Sequence, residues 1–164
     1  MVKKAKVIEG RTIKFRAKET DTNEWVYGFY YTNGTEHFII SEATEKFYEI
    51  DIKTLGEFTG IIDKNNKEIY EGDFVRQQTF DKLNPKYDNE KDKQDHKQYL
   101  IKECECIFDD EENYHRNYDY LVEYEDARFY PFADDNFEWG NYCWDKPVEV
   151  IGNIFDNPKL RRNR

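Results

Sequence analysis

The chain has 164 residues, a formal net charge of −10 and an aromatic content of 17%. That length allows one ordinary domain or two small ones with a real core, and no apolar run approaches the roughly 20 residues of a membrane-spanning helix. Met1 to Glu9 lacks the apolar stretch of a signal peptide, so a cytoplasmic protein is expected. Its three cysteines, Cys104, Cys106 and Cys143, are an odd number that argues against a disulfide framework.

Strand-forming runs come first: Thr12–Ala17, Trp25–Tyr31 and His37–Ser41, with Asn33-Gly34 as a turn between the last two. This pattern predicts an antiparallel meander. Ser41 to Glu49 is compatible with one or two helical turns, with strand, or with loop. Ile50–Phe58 leads onward, and an amino-terminal β unit is expected over residues 1–55.

From Leu55 to Arg76 the residue order specifies a hairpin followed by a tight turn. Leu55, Phe58, Ile61 and Ile62 favour strand, while Asp63-Lys64-Asn65-Asn66 is turn chemistry, because Asn and Asp tolerate left-handed backbone. A new strand begins near Lys67. It breaks after Tyr70 at Glu71-Gly72-Asp73, where glycine supplies a positive φ, and the chain resets into Phe74-Val75-Arg76. Pro147 to Leu160 repeats this grammar: Val148, Val150 and Ile151 lead through Gly152 to Ile154-Phe155, and Pro158 closes the element because it has no N–H to donate.

Between these segments, Gln78 to Gln98 is polar, with Leu83 and Tyr87 the only large apolar groups from Asp81 onward. It is expected to be an exposed insertion, too poor in apolar surface to offset the entropy of ordering. Strand character is expected again from Tyr99-Leu100-Ile101 through Ile107-Phe108. The last residues, Lys159 to Arg164, form a basic tail.

The segments Leu55–Arg76 and Pro147–Leu160, with Lys14-Phe15-Arg16-Ala17 and Tyr27-Gly28 in the same order, resemble the signatures of the YopX family of phage and prophage proteins. The resemblance implies a small, mainly β accessory protein without an established activity. It also implies an SH3-like β-barrel over residues 56–160, interrupted by the insertion at about 78–98 and followed by the tail at 161–164.

Charge is concentrated. Asp109 to Asp145 holds twelve carboxylates against two arginines, a net −10 that equals the charge of the whole chain, together with eleven aromatic residues. Barrel strands that bury alternate aromatics and turn carboxylates to water would account for this. The sharper reading concerns Asp134 to Trp144, where Phe137, Trp139, Tyr142 and Trp144 act as anchors inside a rim of Asp134, Asp135 and Glu138. Aromatic anchors dominate many interfaces, and a negative field steers a basic partner toward them.

The same field opposes direct binding to nucleic acid, which needs clustered Lys and Arg. Asp63 to Phe74 opens like a calcium loop, but Glu68 stands where glycine is required and Phe74 where the bidentate glutamate belongs, so it reads as a turn. Cys104-x-Cys106 could complete a zinc set only by long-range convergence with Cys143 and a histidine, and ordinary half-buried cysteines are the simpler account. There is no glycine-rich phosphate loop, nucleophile elbow or HExxH motif. The expectation is therefore a non-enzymatic accessory protein that needs no cofactor or metal and binds a host or phage protein with a basic surface, inhibition of a nucleic-acid-binding host factor being one outcome. The alternatives are a nucleotide-binding module that stacks bases on Trp139 and Trp144, and a metal-dependent hydrolase built on convergent carboxylates. Oligomeric state is left open.

Overall fold

The computed structural model describes residues 12–82, 90–104, 107–111, 113–125, 128–130 and 148–161. The expected mainly β architecture is present. Strands β1 (Phe15–Glu19), β2 (Trp25–Thr32) and β3 (His37–Ser41) form the antiparallel meander, and β4 (Phe47–Ile62) follows the turn after Ser41. In that turn Ser41 accepts the amide of Glu45 and donates its own N–H to Lys46, so 41–49 is a hairpin corner with no helix. β1 pairs with β2 and with β4, and the pairings therefore run β1–β2–β3–β4 and return to β1. Ala17, Ile39 and Ile50 are buried among Phe15, Val26, Tyr30 and Leu55 on the inner side of that ring. Each such fully buried Val, Ile or Leu is worth about 1.5–3 kcal/mol.

β4 has 16 residues and passes through Leu55-Gly56, where the amino-terminal unit was expected to end. Its second half pairs with β5 (Glu68–Tyr70) across the Asp63–Asn66 turn. A second sheet, in the order β11–β6–β8–β7, combines β6 (Asp73–Lys82), β7 (Ile107–Phe108), β8 (Asn113–Leu121) and β11 (Val148–Asn153). A small hairpin of β9 (Glu123–Glu125) and β10 (Arg128–Tyr130) closes over it. Ile69, Val75, Val122, Phe129 and Val148 make the second core.

One expectation about local structure is corrected. Glu90–Cys104 is helix α1 and β6 runs on to Lys82, although Gln78–Gln98 was expected to be an exposed insertion and Tyr99–Cys104 a strand. The segment is rich in Glu, Lys and Gln, which lose little side-chain entropy in a helix. Glu90 and Asp92 sit in the first turn and Lys102 in the last, matching the helix dipole. Leu100 is buried and Lys97 lies over the Phe108 ring at 4.5 Å, while most of the helix faces solvent as the polar composition required. Among the described residues, strand structure resumes at Ile107.

Candidate functional site

The strongest convergence of charged and aromatic side chains lies at the seam between the two sheets. Arg16 and Lys18 alternate with inward-pointing Phe15 and Ala17, so the pleat of β1 sends the cations outward. There Trp25 and Tyr27 stand opposite them on β2. Arg16 Nη2 lies 2.6 Å from Asp73 Oδ1, and the two side chains are 4% and 1% exposed. This contact is an ion pair whose angle is off that of a directed hydrogen bond, and the Arg16 Nε–H has no acceptor among the described residues. The guanidinium is sandwiched between the Trp25 ring at 4.6 Å and the Tyr70 ring at 5.0 Å. It also donates to the Glu71 carbonyl at 3.3 Å.

Asp73 is held from a second side by the Tyr70 amide, which donates to Oδ2 at 2.9 Å. Burial pushes its carboxyl above the ordinary range, and the opposing pull of Arg16 and the Tyr70 N–H does not fully reverse that. The Tyr70 hydroxyl donates to Glu68 at 2.7 Å, and burial together with that carboxylate raises its pKa. Lys14 pairs with Glu68 and sits over Phe58.

On the far side, Lys18 pairs with Asp156 at 2.5 Å and Trp25 Nε1 donates to the same carboxylate at 2.8 Å. The Lys18 bond, more than the opposing burial, holds Asp156 at about 2, with further help from Asn153 and Trp25.

The backbone at the seam explains two glycines. Glu71 and Gly72 form the β5–β6 turn, with Gly72 at φ +83°. From this turn the Glu71 amide donates to Glu57, the Gly72 amide to Val122, and the Gly72 carbonyl accepts from Ile154. A Cβ on Gly56 would lie 2.6 Å from the Glu71 carbonyl, so only glycine lets β4 pass this close.

Asp63 makes a second bridge. Its Oδ1 accepts the amides of Asn65 and Lys67, and its Oδ2 accepts the Val150 amide of β11. Burial raises this carboxyl, but the three N–H donors outweigh it and the pKa is lowered. The calcium-like loop is thus a turn that uses its own aspartate.

Chemically, the seam is a set of paired charges and stacked rings suited to fixing one sheet on the other, beside a cavity of about 200 Å³ whose lining includes Glu71, Gly72, Ile154 and Phe155. Among the described residues no group of three or more His, Cys, Asp or Glu is gathered to hold a metal. The expected partner-binding residues Asp134, Asp135, Phe137, Glu138, Trp139, Tyr142 and Trp144 lie outside the described residues, as do Cys106 and Cys143. The described part of the acidic block forms β8, β9 and their flanks, where Tyr118 and Tyr120 stack at 6.5 Å and Tyr124 contacts Phe129 at 4.9 Å. The seam was missed as a unit by sequence reasoning, although most of its members, Lys18 and Trp25 excepted, sit in the segments that carry the family resemblance.

Two bonded sheets, a glycine turn between them and a buried Arg–Asp clasp define a small mainly β protein with a polar seam. The sequence match places it further: residues 14–161 match the family described as YopX protein, and the chain belongs to that family. No curated protein matches. Among solved structures, protein EF1440 from Enterococcus faecalis is similar at 22% identity and a TM-score of 0.44, over 92% of this chain and 99% of that one.

Proposed function

We propose that this YopX-family chain is a non-enzymatic phage or prophage accessory protein that works by binding. In this reading its carboxy-terminal half is an SH3-like barrel. The acidic, aromatic segment 109–145 presents Asp134, Asp135 and Glu138 around Phe137, Trp139, Tyr142 and Trp144 to a host or phage protein with a basic surface, in the host cytoplasm. The observation that carries the proposal is that this one segment accounts for the entire net charge of −10. Such a field raises the encounter rate with a cationic partner and repels phosphate backbones. A partner that itself binds nucleic acid would be blocked by the same surface.

The test is capture from host lysate by the immobilised protein at low and high salt, beside a variant carrying Asp134→Asn, Asp135→Asn and Glu138→Gln. A stoichiometric basic partner that is released by salt and lost in the variant is expected. Equal capture by the variant would refute the surface.

A further inference from the structure

A different surface, on the amino-terminal strands, has an unpaired edge. The hydrogen-bond phase of β2 follows from its ends. The Glu19 amide donates to Glu24 and the Asn33 amide to Glu36, so the even residues Glu24, Val26 and Gly28 turn their backbone groups toward β1. The odd residues Phe29 and Tyr31 turn theirs toward Ile40 and Phe38 of β3. The next odd positions are Tyr27 and Trp25, but β3 pairs with β2 only as far as Ser41 and then turns away. Trp25 and Tyr27 therefore direct two amides at a side where the described residues supply no strand.

What lies there is a groove of about 540 Å³, whose lining includes Trp25, Tyr27, Tyr48, Glu19, Glu24 and Glu42. Its one lysine, Lys14, is neutralised by Glu68. Gly28 forms part of its wall because a Cβ there would lie 2.0 Å from the Ile40 carbonyl. The two faces of the groove differ: the pleat puts the Trp25 and Tyr27 rings on one side of the sheet, and Glu24, opposite Glu19, on the other.

We propose that this groove binds an extended basic peptide segment of a partner by strand addition to β2 at Trp25–Tyr27. Main-chain bonds to the free edge hold such a segment, and alternate side-chain sites select it. Lysine or arginine fits the side of Glu19 and Glu24, and an apolar residue fits against Trp25 and Tyr27. The site involves none of residues 134–144 and stands or falls separately from that surface.

The experiment is residue-resolved amide exchange by NMR on the full chain. The probe is a capped hexapeptide of alternating valine and lysine, compared with its valine–glutamate counterpart. In the free protein the Trp25 and Tyr27 amides should exchange rapidly and those of Val26 and Gly28 slowly. The lysine peptide is expected to slow Trp25 and Tyr27 by at least about tenfold and to bind at least about tenfold more tightly than the glutamate peptide. Glu19→Gln with Glu24→Gln removes that preference, and N-methylation of the peptide amides that face β2 abolishes protection. Slow Tyr27 exchange in the free protein, or lysine-peptide binding that leaves Trp25 and Tyr27 unprotected, would overturn the proposal.

Discussion

Removing the guanidinium from the seam is the most direct trial of the argument that the Arg16–Asp73 clasp joins the sheets. Arg16→Met keeps much of the side-chain volume but leaves Asp73, 1% exposed, with only the Tyr70 amide. Breaking one side of a buried ion pair costs about 3–5 kcal/mol, and loss of the cation from between Trp25 and Tyr70 adds about 0.5–2 kcal/mol. Against a typical domain stability of about 5–15 kcal/mol, that is a large fraction. With a urea m-value of about 2 kcal/mol/M, the midpoint should fall by about 2–3.5 M at pH 7. The defect should also depend on pH with a definite sign. Burial already raises Asp73, and without Arg16 it rises further. Both folded forms then hold the proton above the unfolded value near pH 3.9, and the variant's stability relative to the parent falls as pH climbs from the parent's raised folded pKa through the variant's higher one. Urea melts at pH 5 and pH 7 read this directly. Adding Asp73→Asn, which keeps an acceptor for the Tyr70 amide, should recover at least half of the loss at pH 7. A single-variant loss under about 1 kcal/mol, or a double variant no better than the single, would refute the clasp as the element that matters.

Gly28→Ala places a Cβ 2.0 Å from the Ile40 carbonyl, so it should cost about 2–3 kcal/mol and lower Tm by about 5–10 °C, measured by thermal unfolding. Asp63→Ala leaves the Asn65, Lys67 and Val150 amides without their acceptor and should cost about 2–3 kcal/mol at pH 7. Because the folded pKa of Asp63 is lowered, its contribution is complete above the unfolded carboxyl pKa. It disappears as pH falls through the folded value, so the parent and variant urea midpoints should converge in strong acid. Asp156→Asn should change stability by less than about 1 kcal/mol at neutral pH, since the carboxylate is partly exposed. That small difference should vanish between the unfolded pKa near 3.9 and the folded value of about 2.

Local grammar was legible wherever one residue type has one physical use. Asn33-Gly34, the Asp63–Asn66 turn and Glu71-Gly72-Asp73 each mark a change of direction, and the structure turns at all three. Helix α1 was not legible because periodic burial is the main sequence signal for a helix, and only Leu100 of its large apolar groups is buried while Tyr99 and Ile101 stay exposed. Lysine and glutamate propensity decided that segment, whereas apolar poverty had pointed only to exposure. Asn153 also ended β11 earlier than expected. Its side-chain oxygen accepts the amides of Phe155 and Asp156, taking the chain off the sheet before Pro158 is reached. The seam required knowing that β1 pairs with β4 and that Gly72 bonds to Ile154, and no local pattern encodes those distant partners.

The four segments that carry the family resemblance meet in this one place. Lys14 and Arg16, Tyr27, the stretch from Gly56 to Asp73, and Asn153 to Asp156 meet in the seam, joined by Lys18 and Trp25 from between the segments. A motif whose members bond chiefly to one another is consumed by the fold. Arg16 stacks on Trp25 and Tyr70 and pairs with Asp73, and Asp63 spends both oxygens on backbone amides. The side chains that resemble the family therefore chiefly specify how two sheets are joined, and what is left for a partner is backbone edge and charge beside them. One such place is the edge of Trp25 and Tyr27 above the Glu19 and Glu24 carboxylates, where backbone donors, aromatic rings and negative charge remain to be matched. Function in such a fold follows from sites carried on the frame more than from the frame itself.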